Sequence, residues 1–224
     1  MTDRAPLGDR VRVGRVPREW FDDAARLLAR ATADEAIISH ALCADRATRV
    51  RALASLYRAW LAAFSPYAEI HSAMLDDRLV AVGVRLPPGN YPLRRRSLPR
   101  VLLRIIPGYL RMAMTCRGAM AMMRAGFANE PYQPRGRPYW YLNILGVEPE
   151  FQGRGIGKRM AHEVLERADA AGVGCYLETY GEGTKALYLK RGFVVFKEVR
   201  PFTDGPTCYL MWRDPRPPTE PADT

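Results

Sequence analysis

Three glycines alternate in Gln152-Gly153-Arg154-Gly155-Ile156-Gly157, and Lys158 and Arg159 follow at once. These residue types suit an anion. Glycine lets a backbone come close to a phosphate. The first amides of a helix opening here need acceptors, and no Ser, Thr, Asp or Asn stands just before it to cap them. A phosphate accepts from those amides and is favoured by the helix dipole. Two cations at the same end oppose the dipole unless an anion is bound. Spacing excludes two other phosphate loops. A Walker loop needs glycine where Gln152 stands and Ser or Thr where Arg159 stands. The dinucleotide fingerprint fails because the glycines run 153, 155, 157. A glycine-rich turn that only packs a helix on a sheet is the plain alternative.

The flanking elements agree with an anion site. Residues 139–147 are nearly all apolar or aromatic and are bounded by Pro149, which reads as a buried strand. Lys158–Ala171 has helical spacing, with Met160, Ala161, Val164, Leu165 and Ala168 on one broad face and Gly172 at its end. Strand, loop and helix together resemble the Q/R-x-x-G-x-G/A acyl-coenzyme A pyrophosphate loop of the GNAT acetyltransferases. The resemblance covers about Pro138 to Pro215. LGVEPEFQGRGIG, LET at 177–179, LYLKRGF at 187–193 and GPTCYLMWRDP at 205–215 come in the order seen in enzymes of the puromycin N-acetyltransferase type. The first half is similar only in general plan.

The resemblance implies a GNAT fold: α/β (α+β), one central mixed, mostly antiparallel sheet flanked by helices. It implies acetyl-CoA as co-substrate. The pantetheine arm would pair with the backbone of about Ile144–Val147, hence Leu145, Gly146 and Val147. The pyrophosphate maps onto Gln152, Gly153, Arg154, Gly155, Ile156, Gly157 and Lys158. Tyr188, in LYLKRGF, falls on a tyrosine that commonly protonates the departing thiolate; an aromatic packing at a helix start is the alternative. Thr184 stands where relatives often carry an Asn that touches the cofactor. For the general base, Glu178 at a strand end beside the cofactor comes first, as a carboxylate expected to be partly buried there. A structural bond to a nearby loop is the rival role. Asp34 and Glu35, before the second helix, come second from the acceptor side, and a water chain could replace all three. Asn143 is placed to orient a substrate.

Composition sets the frame. The chain has 224 residues, enough for one domain with a core, and a net charge of +10 that favours anionic partners. No helix-turn-helix, zinc-finger or RNA-binding pattern is visible, so no nucleic-acid partner is expected. Cys43, Cys116, Cys175 and Cys208 lack C-x-x-C spacing and read as free thiols in a reducing cytosol, with no metal. No signal peptide or transmembrane run is expected, and the location is read as cytoplasmic. A monomer or homodimer acting on a small-molecule amine is expected. A peptide or protein amine, or a non-catalytic acyl-CoA-binding regulatory module, is the alternative.

In chain order, residues 1–9 read as a flexible tail and 10–213 as a single domain, with 138–213 its acetyl-CoA half. Val11–Val16 suggests a strand and Trp20–Ala31 a helix. Residues 32–44 read as irregular. Asp45 caps a second helix through Phe64. Ala68–Leu75 and Leu79–Leu86 form a hairpin. Residues 90–137 form a helical substrate-side segment, with Arg94-Arg95-Arg96 and a helix over Gly108–Gly126. Five methionines there (112, 114, 120, 122, 123) suit an adaptable apolar pocket or plain core filling. Arg104 with Arg111, and Arg117 with Arg124, share helical stripes, read as a solvated basic face rather than a membrane-binding one. Gly174–Tyr180, Phe193–Val199 and Cys208–Trp212 read as strands and Thr184–Arg191 as a helix. Residues 214–224 read as a disordered tail.

Overall fold

A computed structural model describes residues 6–42, 44–91 and 97–216. Cys43, Arg94-Arg95-Arg96 and the tail ends 1–5 and 217–224 lie outside the described residues. Seven strands form one sheet in the order β1-β2-β3-β4-β5-β7-β6. They are β1 (Arg12–Arg15), β2 (Glu69–Leu75), β3 (Arg78–Leu86), β4 (Tyr139–Val147), β5 (Gly174–Thr179), β6 (Val194–Val199) and β7 (Cys208–Arg213). Every neighbouring pair is antiparallel except β4 and β5, so the sheet is mixed and mostly antiparallel. The helices are α1 (Phe21–Thr32), α2 (Ala36–Leu42), α3 (Arg46–Phe64), α4 (Leu98–Thr115), α5 (Ala119–Ala128), α6 (Ile156–Ala170) and α7 (Glu182–Leu189).

Local chemistry explains most boundaries. Asp45 accepts from the Thr48 amide at 3.0 Å and starts α3. Asp76 and Asp77 hold positive φ of 47° and 61°, the two-residue turn that suits the twist of the β2–β3 hairpin. Helices cover both faces of the sheet. Met160 of α6 packs with Val11, Ala73 and Val80 on one face, while α1 and α3 pack on Ile70, Val82 and Val84 on the other.

Several sequence expectations change. Residues 32–44 are not irregular: Ile37, Ile38, Ala41 and Leu42 of α2 are buried among α3, α4 and α5. Seven residues are too few to show a period. The helix expected over Gly108–Gly126 is two helices. α4 begins ten residues earlier and runs through Pro107, because Val101 and Met112 are buried despite the lost donor. Gly108 lets α4 press close to α3, where a Cβ would lie 2.6 Å from the Ala59 methyl. The break falls at Gly118, with φ 96° and no room for a side chain against Ala41 O. Arg117 lies in that break, so it shares no helical stripe with Arg124. The tail limits shrink as well. Leu7 is buried, and its amide donates to Arg154 O at 2.8 Å. The Arg216 amide donates to Asp169 at 2.8 Å.

A charged cluster fastens α6 to the sheet. Glu69 accepts from Arg85 Nε at 3.1 Å and Arg167 Nη1 at 2.7 Å, and Arg85 also donates to Glu163 of α6 at 3.0 Å. Burial pushes the Glu69 carboxyl up, but Arg167 and Arg85 outweigh it and hold it at about 2. The unfolded carboxyl titrates near 4.5, so its stabilisation is complete above that pH and disappears as the pH falls through about 2. Glu69→Gln should therefore cost about 3 kcal/mol at pH 7, because Arg85 is left buried with a charge only partly compensated. Urea unfolding would show that difference shrinking towards zero near pH 2.

Candidate functional site

β4 and β5 pair only from Tyr139–Gly174 to Leu142–Leu177, although β4 runs on to Val147. Beyond Leu142 the strands part. A bulge begins the divergence: Val84 pairs with Ile144 and Arg85 with Leu142, so Asn143 is an extra residue. Past this point no strand among the described residues pairs with the β5 side of β4.

A cavity of about 890 Å³ passes through the parting. On one face Leu145, Met160, Val164 and Tyr188 line it; on the other, Glu35, Tyr57, Glu178 and residues of α4 and α5 do. That size falls within the range of small-molecule sites.

The glycine loop leads from the end of β4 to α6. Gly153 and Gly155 have positive φ of 76° and 82°. Gly155 is the N-cap of α6 and supplies no side-chain bond. α6 begins at Ile156, two residues before the expected start. The Arg159 amide bonds to Gly155 O at 3.0 Å, so the amides of Ile156, Gly157 and Lys158 precede the first helical bond. The loop is held from three directions. Arg30 of α1 pairs with buried Glu148, Gln152 Nε2 donates to Val147 O at 3.0 Å, and Leu7 binds Arg154 O. The expected residues thus divide. Ile156 is buried core, so its side chain is closed to a ligand and only its backbone is left for the expected role. Gly146 packs against α1, where a Cβ would meet Leu28 at 2.9 Å. The Gln152 side chain closes the loop itself. Gly153 has open space around its Cβ position, while Lys158 is exposed at the helix start.

Tyr188 is not at a helix start: it lies in the last turn of α7, on the α6 face of the sheet. Its ring meets Phe193 edge-on at 5.2 Å. Burial raises its phenol above the ordinary value, partly opposed by Arg191, so it keeps its proton near neutrality. Thr184, on the same helix, also lines the cavity.

The carboxylates stand on the other side. Glu178 accepts from the Tyr176 hydroxyl at 2.6 Å, Asn129 Nδ2 at 2.8 Å and Gln133 Nε2 at 3.4 Å. Asp34 is tied to Arg46 at 2.7 Å and Arg49 at 2.9 Å, outside the cavity. Glu35 turns into it, at the start of α2. Glu35 is exposed by accessible surface yet crowded by neighbouring atoms, and desolvation raises its carboxyl to about 7. Sequence gave Asp34 and Glu35 equal standing, because the two arginines that separate them sit more than ten residues along the chain. Among the described residues no group of three or more His, Cys, Asp or Glu is placed to hold a metal, and no helix is long and apolar enough to cross a membrane.

Residues 116–193 match the model of the acetyltransferase (GNAT) family. N-alpha-acetyltransferase RimI of Mycobacterium tuberculosis is 33% identical over 97 residues, which is 42% of this chain and 61% of that relative. The chain thus spans less than two thirds of the length of that relative. A structure described as histone acetyltransferase HPA2 and related acetyltransferase, from Corynebacterium glutamicum, superposes with a TM-score of 0.67 at 19% identity, over 94% of this chain and 99% of that one. The ribosomal-protein-S18-alanine N-acetyltransferase of Escherichia coli gives 0.52 at 13% identity, over 96% and 99%. The fold is the GNAT fold, with its mixed seven-stranded sheet flanked by helices.

Proposed function

We propose that this chain is a GNAT-family N-acetyltransferase that moves an acetyl group from acetyl-CoA to the primary amine of a small molecule. The observation that carries this reading is the parted β4–β5 pair beside a helix start that has no side-chain cap, with a protonated phenol on one side of the sheet and carboxylates on the other. The residues fit the co-substrate. The amides of Ile156, Gly157 and Lys158, with the open space at Gly153, suit a pyrophosphate. The free side of β4 from Ile144 to Val147 suits the amides of a pantetheine arm and offers backbone N–H groups to a carbonyl oxygen. When bound, acetyl-CoA supplies a thioester whose acetyl carbon bonds to the amine nitrogen as its bond to sulfur breaks.

The side chains divide the proton transfers. Tyr188 gives its phenolic proton to the leaving sulfur. Glu35 takes a proton from the amine; its carboxyl at about 7 is half ionised at neutral pH. Glu178 has both oxygens engaged by neighbouring donors and is assigned to shaping the acceptor side.

A second reading is an α-amine acceptor, favoured by the similarity to RimI, named an N-alpha-acetyltransferase. Resemblance of the second half to the puromycin type favours the small molecule. Both share the cofactor site, and one pair of variants tests it. Gly153→Asp places a carboxylate in the proposed phosphate site, while Gly153→Asn matches it in size and tolerance of positive φ. Calorimetry should show acetyl-CoA bound at least about tenfold more weakly by the Asp variant than by the Asn variant. Equal binding by the two variants, or none by the parent, would remove the reading.

A further inference from the structure

We infer that the acceptor is an amine with a cationic head and a bulky apolar body, such as a long alkyl or fused-ring amine. This rests on the N-acetyltransferase reading and names the chemistry of its second substrate. The wall facing the acceptor is apolar. Trp60 of α3, Leu102, Ile106 and Leu110 of α4, and Met120 and Met123 of α5 line it. Leu102, Ile106, Leu110 and Met120 remain 46%, 49%, 60% and 64% exposed, a contiguous apolar surface beside a cavity. A ligand with an apolar body removes that surface from water. The methionines divide accordingly: Met112 is fully buried core, whereas Met120, Met122 and Met123 face the cavity with adaptable side chains.

Polar groups collect at the inner end. Asn129 donates to Glu178 and Cys208 and Gln133 to Tyr91 and Glu178, while their carbonyl oxygens, Oδ1 and Oε1, are buried without a donor among the described residues. Asn129 and Gln133 are only 1% and 7% exposed. Unpaired buried acceptors beside a carboxylate call for donors. An ammonium group carries up to three and no acceptor. Glu35 and Glu130 add carboxylates at the same cavity, and Glu163 lines it too, paired with Arg85.

The apolar wall, not the charge around it, limits the acceptor. Residues 97–128 contain Arg100, Arg104, Arg111, Arg117 and Arg124 and no acidic residue, and all five arginines are exposed. None of the five lines the cavity; the wall disfavours a polyamine or aminoglycoside because their charged and hydroxyl groups would lie along apolar side chains. A peptide would lay polar backbone along an apolar wall that offers few partners.

The test is acetyl-CoA-dependent thiol release with primary alkylamines from butylamine to decylamine, beside spermidine, an aminoglycoside and a short peptide with a free N-terminal alanine. Acetyl-CoA affinity is measured in parallel. Buried methylenes should raise kcat/KM about threefold each until the wall is covered. Gly126→Phe supplies the second arm. Gly126 lines the cavity, and nothing lies within 4 Å of its Cβ position, so the helix accepts a side chain that fills the space. It should lower kcat/KM for decylamine at least about tenfold relative to butylamine and leave acetyl-CoA affinity unchanged. Three results overturn the inference while acetyl-CoA still binds: rates independent of chain length, preference for spermidine, the aminoglycoside or the peptide, or no alkylamine consumed. Failure to bind acetyl-CoA overturns the transferase reading beneath it.

Discussion

Replacing Glu35 by Gln should lower kcat/KM for the amine about a hundredfold at pH 8, the lower part of the range for a lost general base. The pH profile is the sharper readout. Desolvation raises this carboxyl from 4.5 to about 7, so the parent rate should climb as pH rises through 7 and level off above it. The variant should lose that limb. The stability sign runs opposite to that of Glu69. A carboxyl raised on folding favours the native state below 4.5, and that contribution is lost as the pH rises through about 7. Glu35→Gln should therefore unfold at a higher temperature than the parent at pH 8 and at nearly the same temperature at pH 4. A limb that survives in Glu35→Gln but vanishes in Glu178→Gln would move the base to β5.

Tyr188→Phe removes one oxygen from a ring already packed on Phe193, so the fold should hold. Loss of the general acid should reduce kcat about a hundredfold, with acetyl-CoA affinity unchanged. The effect should be smallest for a thioester whose thiol is more acidic, because such a sulfur leaves without a proton. An unchanged kcat would return Tyr188 to a packing role. Tyr188 and Glu35 stand on opposite sides of the sheet, and both line the cavity at the gap between β4 and β5. Their losses should therefore be separable by substrate: the acid variant responds to the thioester and the base variant to the basicity of the amine.

The sequence was most legible where local chemistry decides structure. β4 runs over 139–147 as its nearly all-apolar pattern indicates, and the uncapped glycine loop sits at the start of α6. The Asp45 cap and the Asp76-Asp77 turn are likewise local. What stayed hidden depends on distant partners. α2 exists because other helices bury its one apolar face. α4 tolerates Pro107 because α3 lies against it, and no property of residues 98–107 alone announces that. The Asn143 bulge is a mismatch between two strands, so β4 by itself cannot display it. At the proposed site, the glycine loop at the start of α6 was readable because its amides and glycines are contiguous. The acceptor side was not, because it joins α2, α3, α4, α5 and β5 across more than a hundred residues.

The cofactor and acceptor halves of this account meet in one observable event, the transfer of an acetyl group between two bound molecules. The most direct measurement is the appearance of free coenzyme A thiol from acetyl-CoA, with and without an apolar primary amine, alongside mass analysis of the amine. The account predicts thiol release that depends on the amine and matches, mole for mole, an amine made heavier by one acetyl group. Tight acetyl-CoA binding with no amine-dependent release across alkylamines, polyamines and peptides would contradict it and leave a module that binds acyl-CoA without catalysis.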